Sequence, residues 1–325
     1  MCTVCIWARK GQPVFSARNM DWAMDMDTDL WVIPAGRHHR AGPESEANVL
    51  EWTSKYGSVA ASAYGIGTAD GLNEAGLAAS ALWLSESTYG PRDESLPLMV
   101  ISFWCQYYLD NFATVAQAVA DFETSPYQLQ TAEITPGRST TIHLQLSDAT
   151  GDVAVLEVID GAFTIHHGTE FTVLTNSPTY DQQLENLKKY KGFGGDLPLP
   201  GTTAPVDRFV RASYYVGALP TTESPDKAAA EILSVVRNAA QPYGTVDPER
   251  PNVAPTIWTT IRDHTDLRYY FQASTSPYPV WLDFSKLDVS VGAPVKCLKL
   301  DGSEAQLGNQ SDALVDTDLF DFSVG

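Results

Sequence analysis

The sequence is short of cations. Its 21 Lys and Arg stand against 40 Asp and Glu, a formal net charge of −19 at pH 7. Nucleic acid and anionic lipid both need Lys and Arg against their phosphates, so neither is expected as a partner. Long hydrophobic runs are missing too. The best stretch, Leu96 to Phe103, holds Pro97 and soon meets Gln106 and Asp110, short of the ~20 apolar residues a spanning helix needs. Four cysteines, Cys2, Cys5, Cys105 and Cys297, make no disulfide framework in a chain of 325 residues. No second Cys pair or spaced His accompanies Cys2 and Cys5, and the pairs His38-His39 and His166-His167 would point to opposite faces of a strand. No metal is expected. The start carries no basic segment followed by an apolar run and a cleavage site, which suggests a cytoplasmic protein, or a periplasmic one if a signal peptide was trimmed and a start Met added. With no repeat and no linker, one domain spanning 1–325 is expected, its tail from about 302 peripheral.

What is present is a cysteine in second place, in Met1-Cys2-Thr3-Val4-Cys5. Removal of Met1 would leave Cys2 with a nucleophilic thiol and a free α-amine on one carbon. An α-amine has an ordinary pKa of about 7.7–8.0, so it can accept the thiol proton near neutrality. This is the N-terminal form of the nucleophile-plus-base pair. The plainer reading makes Cys2 a small apolar residue at the head of a buried strand.

Thr3 to Ala8 and Val14 to Met20 read as a hairpin across the turn Lys10-Gly11-Gln12-Pro13. Asn48 to Trp83 reads as a meander, with Gly65 to Leu72 as a glycine-rich connection and the small residues of Gly76 to Leu84 marking close packing. Helices are expected over Met99 to Leu109 and over Asn111 to Phe122, with Thr114 as N-cap. Alternating strands resume at Thr140 to Leu146, Val153 to Ile159, Ala162 to His167 and Phe171 to Thr175. Helices follow at Gln182 to Tyr190, Val206 to Val216 and Asp226 to Asn238, and closing strands at Ile257 to Ile261, Leu267 to Phe271 and Val280 to Phe284. Runs of strands alternating with runs of helices imply an α+β fold with antiparallel sheets.

A thiol with an ordinary pKa of about 8.5 needs a cation to act near neutrality. Arg18 falls at the end of the returning hairpin strand, within reach of Cys2, and Asp21 is a natural partner for the amine. Asn176, between Thr175 and Ser177-Pro178, can aim an amide at a developing oxyanion. Arg208 and Arg211 lie three apart on one helix face. Trp22, Trp83, Phe15 and Tyr64 are candidates for an apolar pocket. Each also has a structural reading: edge-strand charge, turn residue, solvated helix face, core aromatic.

Five segments in order, Met1-Cys2-Thr3, Ala17 to Trp22, Gly71 to Leu77, Leu174 to Pro178 and Asp207 to Ala212, together resemble the choloylglycine hydrolase family of N-terminal nucleophile hydrolases. That family contains penicillin V acylases and conjugated bile salt hydrolases. The resemblance implies a four-layer αββα sandwich, with Cys2 as nucleophile and Arg18, Asp21, Asn176 and Arg208 completing the catalytic set. Asn176 and the backbone N–H of Trp83 would hold the oxyanion, and Trp22, Trp83 and Tyr64 would meet the substrate. Trp83 stands where many bile salt hydrolases carry Asn. With Trp22 it resembles the Gram-negative penicillin V acylase branch, some of whose members deacylate N-acyl homoserine lactones. Bulky indoles suit an aryl or alkyl acyl group better than a steroid. The implied enzyme hydrolyses a linear amide on a small molecule, needs no cofactor and assembles as a homotetramer. A homoserine lactone acylase, a bile salt hydrolase and a non-catalytic ligand-binding relative are the alternatives.

Overall fold

The computed structural model describes residues 1–325 apart from 125, 132, 136–137, 248–252 and 324–325. Strands β1 (Cys2–Trp7) and β2 (Phe15–Asp21) form the expected hairpin, buried along its whole length. They sit inside a seven-stranded sheet ordered Val173–Leu174, β1, β2, Thr256–Asp263, Arg268–Ala273, Val280–Asp283, Gly308–Asn309. A nine-stranded antiparallel sheet runs Ala162–His167, Val153–Ile159, Ile142–Ser147, Ala78–Trp83, Gly67–Asn73, Ser58–Ala63, Leu30–Ile33, Lys296–Leu298, Val315–Asp316. The two stack face to face, with Met20, Leu30, Val59, Leu72, Leu82 and Val155 in the core between and around them.

Helices cover both outer faces. α1 (Trp104–Asn111) and α2 (Val115–Thr124) bury Tyr108, Leu109 and Val115 against Ala79, Leu144 and Leu146 of the nine-stranded sheet. α3 (Tyr180–Leu187) packs beside α4 (Pro205–Ala218), and α4 and α5 (Pro225–Ala239) lie on β1 and β2. α5 shows why such a segment folds locally. Ser224 Oγ caps it by accepting from Lys227 N–H, Pro225 occupies the first position, Asp226 lies in the first turn and Arg237 in the last. The chain is α+β in four αββα layers.

Two expectations need correction. The helix expected over Met99 to Leu109 begins only at Trp104; Leu98–Val100 is a strand paired in parallel with Gln128–Gln130, as a preceding proline and a Val-Ile step favour. Gly65 to Leu72 is a connection only at its start, where Gly65 sits in a turn at φ +62°; Gly67–Asn73 is a fully buried strand. The glycines of that strand mark close approach rather than a turn. A Cβ at Gly71 would lie 2.5 Å from Leu109 Cδ1 and 2.8 Å from Val59 O, so α1 seats directly on this strand. Gly71→Ala is expected to cost about 1–3 kcal/mol of stability by overpacking, read as a lowered midpoint in calorimetry.

The final segment adds the outermost strand to each sheet, Gly308–Asn309 to one and Val315–Asp316 to the other. It then turns inward. Phe322 stacks on Phe103 with centroids 4.3 Å apart, and Ser323 N–H donates to Ile66 O at 2.9 Å.

Candidate active site

The hairpin register sets the site. Cys2 faces Met20 and Val4 faces Arg18. Strand alternation puts Cys2, Arg18 and Met20 on the face turned to the other sheet, and Thr3, Asn19 and Asp21 on the face turned to α4 and α5. The guanidinium of Arg18 reaches the thiol, with Nη2 3.6 Å from Cys2 Sγ and Cζ 5.2 Å from the centre of the Trp258 ring.

Arg18 also sits in a split of the nine-stranded sheet. Gly67–Asn73 and Ala78–Trp83 pair only as far as Asp70 opposite Ser80. Beyond that pair the two strands diverge, Gly67–Ala69 staying with Ser58–Ala63 and Ala81–Trp83 with Ile142–Ser147. Arg18 bridges the lips, donating through Nη1 to Ala69 O and through Nη2 to Ala81 O. The wedge so opened is a pocket of about 740 Å³, counted out to its mouth. Its walls include Cys2, Met20, Met26, Ile66, Ile142 and Trp83, an almost wholly apolar lining of the kind small-molecule sites have. Trp22 and Tyr64 stand there as well, the indole N–H donating to the phenol oxygen at 2.6 Å.

On the other edge of β1, the register Val4 to Leu174 carries Asn176 to a place opposite Cys2. Asn176 Oδ1 accepts from Cys2 N–H at 2.5 Å and from Arg208 Nη2 at 3.1 Å, and Nδ2 donates to Trp83 O at 2.7 Å. Two donors on one side and an acceptor on the other fix which amide atom is nitrogen. The Trp83 N–H is placed by the same strand logic. Leu84 N–H donates to Thr141 O at 3.1 Å, so in the alternating antiparallel ladder Trp83 turns its N–H and C=O away from that neighbour, to the opened edge.

Asp21 and Arg208 meet behind Cys2. Arg208 is fully buried on α4 and donates through Nη1 to Cys2 O and Thr3 Oγ1, each at 2.5 Å, with Asp21 Oδ2 3.7 Å away. A bulge between Thr256 and Trp258 brings Thr256 Oγ1 to Asp21 Oδ1 at 2.6 Å. Asp21 Oδ2 has no hydrogen-bond partner among the described residues. Burial raises the Asp21 pKa, against Arg208 and the terminal ammonium. Burial lowers that of Arg208, against Asp21 and Cys2. For Arg18 burial also acts downward, but Cys2 and Asp70 outweigh it and hold the group above its ordinary value. Met1 is itself buried. Its amine, lowered in pKa by burial, donates to Asp21 O, and Asp21 N–H donates back to Met1 O at 2.6 Å.

The structure therefore gathers Cys2, Arg18, Asp21, Asn176, Arg208, Trp22, Trp83 and Tyr64 at one end of the sheet split. Two expectations fail. Phe15 lies at the far end of β2, paired with Trp7 and away from the pocket. Arg211 turns outward to Asn238 Oδ1, Pro200 O and Thr202 O, because three residues along a helix rotate the side chain off the buried line that Arg208 occupies. Sequence reasoning also missed Asp70, Arg262, Thr256 and the pocket floor at Ile101 and Ser102. A charged residue inside a run of small apolar ones, Thr68-Ala69-Asp70-Gly71, was the available signal.

Two stacked sheets between helices, with a cysteine at the head of a central strand beside a buried arginine, an aspartate and an amide donor, define a cysteine amidohydrolase of the N-terminal nucleophile type. The chain belongs to the linear amide C–N hydrolases of the choloylglycine hydrolase family, whose model matches residues 2–297. It is 42% identical over 309 residues to a penicillin V acylase of Pectobacterium atrosepticum, covering 88% of this chain and 82% of that one. The structure of a penicillin V acylase from Agrobacterium tumefaciens superposes with a TM-score of 0.89 at 44% identity, over 99% of each chain. A bile salt hydrolase/transferase of Clostridium perfringens is 25% identical, covering 83% of this chain and 84% of that one.

Proposed function

We propose that this enzyme releases an aryl- or alkyl-acyl group from a linear amide, with penicillin V as a substrate, once Met1 has been removed. The observation that carries the reading is the apolar wedge opening directly onto Cys2 between Trp22 and Trp83. The acyl group enters the wedge, which leaves its carbonyl carbon at the thiol. Cys2 Sγ, as thiolate beside Arg18, adds to that carbon, and the oxygen takes up the negative charge. Asn176 Nδ2 and the Trp83 N–H donate to it. The α-ammonium of Cys2, having taken the thiol proton, gives it to the leaving nitrogen as the C–N bond breaks. The amine departs and a thioester remains. Water, giving a proton to the now neutral amine, adds to the thioester and releases the acid and the thiol. Asn176 Oδ1, 2.5 Å from the Cys2 nitrogen, and the Asp21 carboxylate, whose Oδ2 has no hydrogen-bond partner among the described residues, steady the ammonium, and no metal or organic cofactor enters.

The test is kcat/KM for penicillin V beside that for a long-chain N-acyl homoserine lactone and a glycine-conjugated bile salt. Penicillin V turnover well above bile salt turnover is expected. Preference for the bile salt would overturn the reading. The alternative of a homoserine lactone acylase is favoured by one feature, the flexible thioethers of Met20 and Met26 in the pocket wall, and would show as a higher kcat/KM for the lactone. A homotetramer goes with the proposal and is checked by sedimentation.

A further inference from the structure

The core between the sheets holds more positive charge than the reaction described so far uses. Arg18 and Arg262 are both fully buried there, and one carboxylate, Asp70, stands between them. Asp70 Oδ1 accepts from Arg262 Nη1, from Ser80 Oγ at 2.5 Å and, more distantly, from Arg18 Nη1 at 3.4 Å. Its Oδ2 accepts from Thr260 Oγ1 at 3.1 Å and Tyr269 Oη at 2.7 Å. Five donors around it leave no room for a proton of its own, so it is a carboxylate.

Arg262 does not line the pocket. Its Nη1 reaches Asp70 and Ser80 Oγ, but its Nε and Nη2 find no partner among the described residues. A buried guanidinium with idle donors is costly, and a neutral side chain would spare that cost. The other groups nearby do not balance it. Burial holds the Cys105 thiol and the Tyr269 phenol well above their ordinary pKa, and lowers His264 to about 4. Asp21 and Arg208 pair on the opposite face of β1 and β2. Two guanidiniums and one carboxylate leave a single positive charge unmatched, and Cys2 Sγ is the acidic group facing it.

We infer that Arg262 is a positioning residue for the nucleophile: by engaging Asp70 it leaves the charge of Arg18 to the Cys2 thiolate. Without Arg262, Asp70 would close its 3.4 Å gap to Arg18 and neutralise it. This inference rests on Cys2 being the nucleophile, but it does not depend on which acyl group is cleaved.

The test is alkylation of the processed enzyme by iodoacetamide as a function of pH, located at Cys2 by peptide mass. In Arg262→Gln the midpoint of the alkylation curve is expected to rise by about one pH unit, with a roughly tenfold slower reaction at pH 7. Arg262→Lys keeps the charge and is expected to stay near the parent. The double variant Asp70→Asn/Arg262→Gln restores one unmatched charge and is expected to return the midpoint toward the parent. An unmoved midpoint in folded Arg262→Gln, or a double variant as displaced as the single one, overturns the inference. Should Arg262→Gln not fold, Asp70→Asn reads the same balance with opposite sign, and an unmoved midpoint there overturns it equally. Alkylation needs no acyl substrate, so failure to turn over penicillin V would leave the outcome intact.

Discussion

Cys2→Ala, in a chain freed of Met1, is expected to fold normally and to lose turnover by on the order of 10⁴–10⁶-fold. The fold survives because Cys2 is held mainly through its backbone. Its N–H donates to Asn176 Oδ1 and its carbonyl accepts from Arg208, and alanine keeps both. Among the described residues its thiol has hydrogen-bond-range contacts with Met20 Sδ at 3.5 Å and Arg18 Nη2 at 3.6 Å. Arg18 retains Ala69 O, Ala81 O and Asp70, so its terminal nitrogens keep hydrogen-bond partners. The chemistry does not survive, because the other buried cysteines are far from acting. Burial pushes the Cys5 and Cys297 thiols up to about 12, and that of Cys105 higher still. A companion measurement is intact mass beside activity. With Met1 attached, the Cys2 nitrogen is an amide and can carry no proton for the leaving amine, so the unprocessed fraction is expected to be inert. Cys2→Ala turnover of penicillin V within tenfold of the parent would mean that another group is the nucleophile.

The site was legible where local spacing does the work and illegible where topology does. The turn signal Lys10-Gly11-Gln12-Pro13 brings the chain straight back, so Arg18 and Asp21 could be placed near Cys2 from the chain alone, although the exact register, Cys2 opposite Met20, follows from a longer connection between Trp7 and Phe15. Asn176 and Arg208 come from segments more than a hundred residues away, and periodicity says nothing about which edge of β1 they meet; the ordered series of matching segments supplied that. The sheet split had no sequence signature. Gly67 and Gly71 read as turn residues because glycine usually serves φ freedom, whereas here they admit Ser102 and Leu109 against a strand. Asp70 and Arg262 escaped for a related reason. A charge in a strand reads as the solvent face of a two-period pattern, and only the second sheet laid over it makes that face an interior. The helix expected from Met99 started late because its first residues serve a sheet edge instead, a choice made by the partner Gln128–Gln130 thirty residues on.

Asn176→Ala is the second large effect, expected to lower kcat by about 10²–10³-fold, or roughly 2.7–4 kcal/mol of transition-state stabilisation. The amide does three things at once. Its Oδ1 orients the nitrogen of Cys2 and its Nδ2 anchors Trp83 O, and in the proposed mechanism its remaining N–H donates to the oxyanion. Loss of the first two loosens the nucleophile and one lip of the pocket, and loss of the third removes a donor that matters only once charge has developed. A defect in the donor alone would fall on kcat and spare KM; a loosened Trp83 would raise KM as well. Asn176→Asp separates these roles. It keeps an oxygen for Cys2 and Arg208 but sets a second oxygen, in place of a donor, against Trp83 O and the oxyanion. It is therefore expected to be at least as slow as the alanine variant, although it preserves the bond to the nucleophile. If Asn176→Asp instead recovered most of the lost activity, the amide would be orienting Cys2 and not binding the oxyanion, and the Trp83 N–H would be left as the principal donor.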